Sequence, residues 1–360
     1  MEYMSQALEL AAEALSVSQP NPPVGAVVVK DGKVVGKGHT MYIGGPHAEV
    51  VAIKEAGNFT EGAILYTTLE PCCHFGRTPP CTDLIIESGI REIRIATIDP
   101  NPKVSGGGIA VLKDAGLTVE LGDGEKESLQ IAEGYMKLMS TGVPFVTAKF
   151  AMSLDGKIAL SSGDSKWITS RESRDYVGRM RSQVGAVVAG IGTVLEDNPR
   201  LTARDSEGNE FPTQPLKLIV DSNARTPLDA ALFDGGGEVV IATCGVAVSR
   251  EKALENRGVK VIRTDSKDGM VDLDGLLLQL GKMGVNSVLV EGGETLLGSF
   301  ADMRLIDKVV AFIAPVIIGG SDSPSPIGGV GITGMENLIR LERSQVKVFG
   351  EDIMVTGYMG

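Results

Sequence analysis

Apolar residues recur at helical spacing over Met1–Val17, at Met4, Ala7, Leu8, Ala11 and Leu15, and the Asn21-Pro22-Pro23 step stops the pattern. Val24–Val29 and Lys33–Gly38 read as short strands around a Lys30-Asp31-Gly32 hairpin turn. A helix over His47–Ala56 closes at Gly57, a strand covers Ala63–Leu69, and a helix over Cys81–Ser88 closes at Gly89. A strand at Glu92–Ile98, a helix at Ile109–Ala115, a strand at Leu117–Leu121 and one long helix over Glu125–Met139 complete the series. Such alternation predicts an α/β domain over residues 1–143, ending at Thr141-Gly142-Val143-Pro144.

Beyond that boundary, strands are expected at Phe145–Phe150, Gly185–Ala189, Leu216–Val220, Glu238–Thr243, Val259–Arg263, Ser287–Val290 and Lys308–Ile318. A hairpin within Val346–Tyr358 ends the chain, and helices fill several gaps, notably Ser170–Arg181 and Leu273–Met283. The Gly-rich stretches 234–237 and 319–334 read as loops. Residues 144–360 are thus a second α/β domain closed by an antiparallel pair.

A length of 360 residues, beyond what one ordinary core accommodates, agrees with two domains. Hydrophobic content of 43% and charge of 22% belong to a soluble globular chain. No apolar run approaches the ~20 residues of a membrane span. The acidic, amphipathic start at Met1–Leu15 lacks a basic region and a cleavage site, so the cytoplasm is the expected compartment. Four cysteines do not make a disulfide framework. A net charge of −12 argues against a nucleic-acid surface and still permits a small phosphorylated ligand held by a few local cations. All three histidines, His39, His47 and His74, lie near the start, so the second domain must do its chemistry without imidazole.

The chemistry concentrates in His47-Ala48-Glu49, Pro71-Cys72-Cys73-His74 and Pro79-Pro80-Cys81. A zinc deaminase needs one His and two Cys ligands, an open fourth position for water, and a Glu that carries protons without binding metal. Zinc lowers the pKa of its water to roughly 7, and Glu49 takes that proton and passes it to the ring nitrogen and the leaving ammonia. Positions i and i+2 of a helix point about 200° apart, so His47 and Glu49 share a site only at a helix start. Gly44-Gly45-Pro46 fits such a start, and a helix beginning at Cys81 favours thiolate there. The second Cys comes nine residues after the first, and Cys73 and His74 compete as ligands. A structural Cys/His zinc site is the plain alternative, but it gives no reason for a Glu two residues from the His.

Asn21-Pro-Pro-Val-Gly-Ala, His47-Ala-Glu, the run from Leu69 to Cys81 and Asp99-Pro-Asn resemble the deaminase half of the bifunctional riboflavin biosynthesis deaminase–reductase family. The widened Cys spacing is that family's own pattern. The resemblance implies a cytidine-deaminase-like three-layer α/β fold, with His47, Cys72 and Cys81 as ligands of one Zn2+, Glu49 as the proton shuttle and Cys73 as a neighbour. It further implies substrate contacts at Asn21, His39, Arg77, Thr78, Asp99 and Asn101. Asn and Asp can read a pyrimidine edge or ribose hydroxyls, and Arg77 can fork onto phosphate. Asn21-Pro, Asp99-Pro and Asn101-Pro also favour turns without any ligand.

Three stretches of the second domain resemble the reductase half of the same family. These are Lys149–Ala159, Ser165–Ser170 with the only Trp, and Val288–Leu297, where a strand, a Gly pair and a helix start form a recipe for anion binding. No G-x-G-x-x-G follows the first strand. The resemblance implies a dihydrofolate-reductase-like α/β fold that uses NADPH to reduce a ribosylamine to a ribitylamine. It places Ala151, Trp167, Thr193, Asp197, Gly293, Glu294, Thr295, Leu296, Leu297, Gly298 and Ser299 at the cofactor. It places Ser165, Arg181, Leu201, Arg204 and Glu291 at the substrate. Arg181 and Arg204 either converge on one phosphomonoester, as local cations of an acidic protein, or are surface charges paired with Glu or Asp. Asp155, Lys149, Glu291, water and the substrate itself remain open as the proton source. The partners implied are small phosphorylated pyrimidines and further copies of the chain, with no nucleic acid and no membrane.

A nucleic-acid deaminase carrying an unrelated second domain is the enzymatic rival. The first domain is itself acidic, with 11 Lys and Arg against 18 Asp and Glu in residues 1–143, which weighs against it. A non-catalytic zinc-stabilised nucleotide-binding protein is the other rival, and an intact Glu49 weighs against that one.

Overall fold

Amphipathic periods of 3.6 and 2 residues alternate along the chain, and the computed structural model, which describes residues 2–360, turns them into two compact units, Met1–Val143 and Pro144–Gly360. In the first unit, helix α1 (Glu2–Ala14) precedes strands β1 (Gly25–Lys30) and β2 (Lys33–His39). Helix α2 (Ala48–Ala56), strand β3 (Ile64–Leu69), helix α3 (Cys81–Glu87) and strand β4 (Glu92–Thr97) follow. Helix α4 (Gly107–Asp114), strand β5 (Thr118–Leu121) and helices α5 (Glu125–Ile131) and α6 (Glu133–Thr141) end the unit. The sheet order is β2-β1-β3-β4-β5, antiparallel across the first two pairs and parallel across the last two.

Strand β1 shows why helices cover both faces. Ala26 and Val28 join the core with Ala52 and Ile85, whereas Val27 and Val29 point the other way against Met4 and Ala7 of α1. Every one of these side chains is buried, so the three-layer arrangement follows from one Val-rich strand.

The second unit opens with β6 (Phe145–Ser153), α7 (Arg171–Ser182), β7 (Ala186–Gly190), α8 (Ile191–Asp197), β8 (Leu216–Val220) and β9 (Val239–Thr243). It continues with α9 (Val248–Glu255), β10 (Lys260–Arg263), the short strands β11 (Ser266–Lys267) and β12 (Met270–Val271), and α10 (Leu273–Lys282). It ends with β13 (Ser287–Val290), α11 (Glu294–Asp302), β14 (Lys308–Ala314), β15 (Leu341–Phe349) and β16 (Asp352–Met359). Nine strands pair in the order β10-β9-β8-β7-β13-β6-β14-β16-β15; the first seven run parallel, and the terminal hairpin adds two antiparallel strands. Helix α7 packs on this sheet through Val177 and an aromatic group in which Tyr176 lies 4.7 Å from Phe349 and 6.2 Å from Phe312.

Two expected elements come out differently. The single helix over Glu125–Met139 is two, broken at Ala132, whose backbone (φ −92°, ψ 14°) leaves the helical region. Buried Ser128 gives its hydroxyl to the Thr68 carbonyl at 2.6 Å and so fixes α5 on the sheet before the turn. The strand expected over Lys308–Ile318 stops at Ala314, because Pro315 has no N–H for the ladder.

Candidate functional site

His47 is the N-cap of α2, with extended backbone (φ −74°, ψ 164°), so its ring does not follow the helical wheel. Glu49, two residues further and in the first turn of α2, therefore reaches the same centre. Cys72 sits on the loop after β3, and Cys81 opens α3. The candidate ligand atoms of His47, Cys72 and Cys81 all lie within 4.8 Å of one another, the one such group among the described residues. His47 Nδ1 is 3.3 Å from Cys81 Sγ and 3.6 Å from Cys72 Sγ, and the Cys81 N–H points at Cys72 Sγ from 3.4 Å. The nine-residue spacing works because residues 73–80 form a loop that brings the start of α3 back to Cys72; the Thr82 N–H donates to the Cys72 carbonyl at 3.2 Å. Two thiols and one imidazole this close, Cys81 buried and the other two half-buried, fit a tetrahedral zinc with one open position. Cys73 turns away toward the Lys103 carbonyl, 3.8 Å from its sulfur.

Glu49 is only 4% exposed and its Oε2 lies 3.7 Å from Cys81 Sγ. Burial pushes its carboxyl up to about 7, against the pull of the nearby His47. The hydrogen bond from the Cys81 thiol, with help from His47, holds the Cys72 thiol down at about 4. The same hydrogen bond, with burial, pushes the Cys81 thiol well up, so the pair carries one thiolate beside a carboxyl that titrates near neutral pH.

The other residues named for this site fall in three groups. Asp99 is buried, and its Oδ1 accepts from the Asn101 N–H at 2.9 Å and the Tyr135 hydroxyl at 2.9 Å; Asn101 Oδ1 accepts from the Lys103 N–H at 3.1 Å. Thr78 lies against His47 Nε2 at 3.4 Å, where it orients the ring. His39 pairs with Gly25 at the end of β2, its Nδ1 3.0 Å from the Thr40 carbonyl, while Arg77 stays exposed on the 73–80 loop and Asn21 half-buried after α1. Sequence reasoning missed Glu70 and Tyr135, which hold the Asp99 loop. Glu70 has a readable signal in its place directly before Pro71-Cys72.

The second site is a cavity of about 800 Å3. Its wall includes the β6 residues Lys149 and Ala151 and, beyond β13, Glu291, Gly292 and Gly293. A crevice beyond the carboxyl ends of parallel strands is where open α/β sheets bind ligands. Gly292 has φ 119°, a conformation that only glycine adopts easily, and it turns the chain from β13 into α11. Helix α7 contributes Arg174, Val177, Gly178 and Arg181, an i, i+3, i+4, i+7 stripe facing the cavity.

Ala151, Trp167, Thr193, Asp197, Gly293, Glu294, Leu297, Ser165, Arg181, Leu201, Arg204 and Glu291 all line this cavity. Thr295, Leu296, Gly298 and Ser299 do not. They lie inside α11, where Leu296 packs toward Gly190, Gly298 abuts the 328–329 backbone and the Ser299 hydroxyl donates to the Thr295 carbonyl. Trp167 is 69% exposed and carries the Arg174 guanidinium 4.6 Å above its ring; the Ser165 hydroxyl meets Asp197 at 3.1 Å.

Of the two sequence readings, Arg181 follows the ion-paired one. It does not converge with Arg204 as a free cation, because Glu291 takes it in a two-pronged ion pair at 2.6 and 2.8 Å. Its third contact is the Thr202 carbonyl at 3.0 Å, and Lys149 Nζ stands 3.9 Å from the same Glu291. Burial alone would push the Glu291 carboxyl up, but the Arg181 charge and hydrogen bonds outweigh it and hold the group below the usual carboxylate range. Arg204 titrates lower than usual because of burial, Arg181 and Arg200; with Arg174, four guanidinium groups share this wall. Asp155, one of the open proton sources, stands outside the cavity wall. Its oxygens accept from the Ser153 hydroxyl at 2.6 Å and from the Ile318 and Gly319 N–H groups at 3.0 and 2.7 Å, which hold it down at about 2.

Known proteins share both halves. A family model described as the cytidine and deoxycytidylate deaminase zinc-binding region matches residues 1–97, and one described as the RibD C-terminal domain matches residues 144–355. The chain is 40% identical over 357 residues to the riboflavin biosynthesis protein RibD of Actinobacillus pleuropneumoniae, covering 99% of this chain and 94% of that one. Its structure superposes on Acinetobacter baumannii RibD with a TM-score of 0.90 at 36% identity, over 100% of this chain and 98% of that one. A diaminohydroxyphosphoribosylaminopyrimidine deaminase/5-amino-6-(5-phosphoribosylamino)uracil reductase from Thermotoga maritima gives 0.87 at 36% identity over the same shares. With similarity running through both units from end to end, the chain belongs to the bifunctional deaminase–reductase family of riboflavin biosynthesis.

Proposed function

We propose that the first unit removes the exocyclic amine from 2,5-diamino-6-ribosylamino-4(3H)-pyrimidinone 5′-phosphate and that the second reduces the ribosyl group of the product to ribityl. The observation that carries the first half is the His47–Cys72–Cys81 group with buried Glu49 against it. When bound there, zinc supplies a Lewis acid that lowers the pKa of water to ~7. Glu49 accepts one proton from the attacking water and delivers it to the ring nitrogen; it then takes the proton of the newly added hydroxyl and delivers that one to the departing amine, which leaves as ammonia. Its raised affinity for a proton suits both transfers. Thr78 keeps the His47 ring in place, and Asp99 with Asn101 reads the pyrimidine or ribose.

For the second half, the support is a large cavity combining cations with the half-buried start of α11 at Gly293–Glu294, a fit for a phosphorylated dinucleotide and a phosphorylated substrate together. NADPH, when bound, supplies the hydride that reduces the imine-like C1′ of the opened ribosylamine. Trp167, Thr193, Asp197 and the Gly293–Glu294 turn hold the cofactor; Ser165, Leu201 and Arg204 hold the substrate. Arg181 acts by fixing Glu291, and Lys149 and Glu291 are the groups left in the wall to manage a proton.

Chelation of the metal from the whole enzyme is expected to abolish ammonia release while NADPH oxidation on the deaminated intermediate continues. Parallel loss of both activities, or of neither, would refute the two-site assignment.

Small phosphorylated pyrimidines, rather than nucleic acid, suit a chain of net charge −12. No helix among the described residues is long and apolar enough to cross a membrane, in keeping with a cytoplasmic enzyme. We further propose that copies of the chain associate through β15. Residues 342–348 are all exposed, Val346 and Val348 by 65% and 69%, and the strand pairs only with β16. Joint replacement V346K/V348K is expected to give a monomer in light scattering; an unchanged assembly would exclude β15.

A further inference from the structure

Residues 98–143 lie between the two family matches, which end at 97 and begin at 144. They supply α4, β5, α5 and α6 of the first unit. From α6, Tyr135 enters the core among Ile85, Ile93 and Leu112 and is only 6% exposed. A phenol that deep must hydrogen-bond, and its hydroxyl donates to Asp99 Oδ1 at 2.9 Å.

We propose that Tyr135 is a positioning residue of the deaminase site, aiming the Asp99 carboxylate at the substrate. The proposal rests on the reading of Asp99 as a substrate contact.

Asp99 Oδ1 accepts two donors, the Tyr135 hydroxyl and the Asn101 N–H. No hydrogen bond from the described residues reaches Oδ2, which leaves that oxygen for a ligand N–H or O–H. The backbone of the same loop is held from the other side. Glu70 Oε2 accepts from the Asp99 and Gly106 N–H groups at 3.3 and 2.9 Å, and its Oε1 from the Ile109 N–H at 3.1 Å. Glu70 stands two residues before Cys72, so the loop is tied to the chain that carries a metal ligand. Gly108 tightens the join: a Cβ there would sit 2.2 Å from the Pro71 carbonyl oxygen. Glu70 therefore fixes the height of the loop. The last freedom is rotation of the Asp99 carboxyl, a broad torsion in the absence of partners, and the Tyr135 hydroxyl restricts it.

Tyr135→Phe removes only the hydroxyl and keeps the ring in the core. In the whole enzyme, the deaminase KM is expected to rise about tenfold, equivalent to ~1.4 kcal/mol, with kcat changed less than about twofold. Zinc per chain and reductase turnover on the deaminated intermediate should stay at wild-type values, the latter as an internal control, while loss of the buried hydrogen bond lowers the melting temperature of the first unit by a few degrees. Asp99→Ala alone should raise KM further. In that background Tyr135→Phe should add nothing, because no carboxylate remains to orient. A KM within twofold of wild type for Tyr135→Phe, where Asp99→Ala raises it, overturns the proposal. So does a Tyr135→Phe effect that persists undiminished in the Asp99→Ala background, or one that accompanies zinc loss. An Asp99→Ala enzyme with wild-type KM removes the reading of Asp99 itself, and the proposal with it.

Discussion

Glu49→Gln is expected to slow ammonia release by about 10^3-fold while reductase turnover on the deaminated intermediate is unchanged. General acid–base catalysis contributes ~10^2–10^4-fold, and here one carboxyl performs both the removal and the return of the proton. The amide matches the carboxyl in shape, so the buried pocket around a side chain only 4% exposed stays filled. Burial already favours the uncharged form of Glu49, so the neutral substitute brings little destabilisation. His47, Cys72 and Cys81 keep their arrangement, and zinc content should match wild type. Ammonia release within tenfold of wild type would show that another group carries the proton. Loss of both activities in a folded variant would show that the two sites are not separate.

Glu291→Ala is expected to cost ~3–5 kcal/mol of stability in the second unit, because it strands the buried charges of Arg181 and Lys149. For a domain of this size the melting transition of that unit falls by roughly 10 °C. Reductase turnover falls with it, since all three side chains belong to the cavity wall. The pH dependence has a definite sign. The folded-state pKa of Glu291 lies below its unfolded value, so its contribution is complete above ~4.3 and is lost as pH falls through the folded-state value. The alanine variant should therefore lose most relative to wild type at neutral pH and converge with it in acid. A calorimetric trace showing equal melting of the two proteins at neutral pH would refute this account.

The zinc centre was legible because its chemistry is local: His47-x-Glu49 and the two Pro-Cys steps announce it, and the break before α2 explains how residues two apart share a site. The strands of the first unit were legible for a similar reason, since Val-rich runs between Gly and Pro have few other uses. The Arg181–Glu291 pair was not, because nothing in the sequence says which acid, 110 positions away, will meet a given arginine. Arg174 could have been found from its i+7 spacing to Arg181 on an amphipathic helix. Tyr135 offered no such signal, being one aromatic in an apolar helical run, and the break at Ala132 is hidden because helical periodicity continues through it. Family resemblance named the loop at Asp99; only the fold shows what holds it.

The guanidinium groups of the reductase cavity also shape how ligands arrive. Seen from a distance, the chain carries twelve excess negative charges and repels an anionic substrate or cofactor. The cavity wall itself carries Lys149, Lys166, Arg174, Arg181, Arg200 and Arg204 against Asp197, Asp205, Glu207, Glu291 and Glu294, so its local balance is slightly cationic where that of the whole chain is anionic. The two fields differ in reach, and salt acts on them unequally: at 0.1 M it confines exposed charges to ~10 Å while leaving partly buried contacts largely intact. Physiological ionic strength therefore lowers the outer barrier to a phosphorylated ligand more than it weakens the attraction of the cations in the cavity wall.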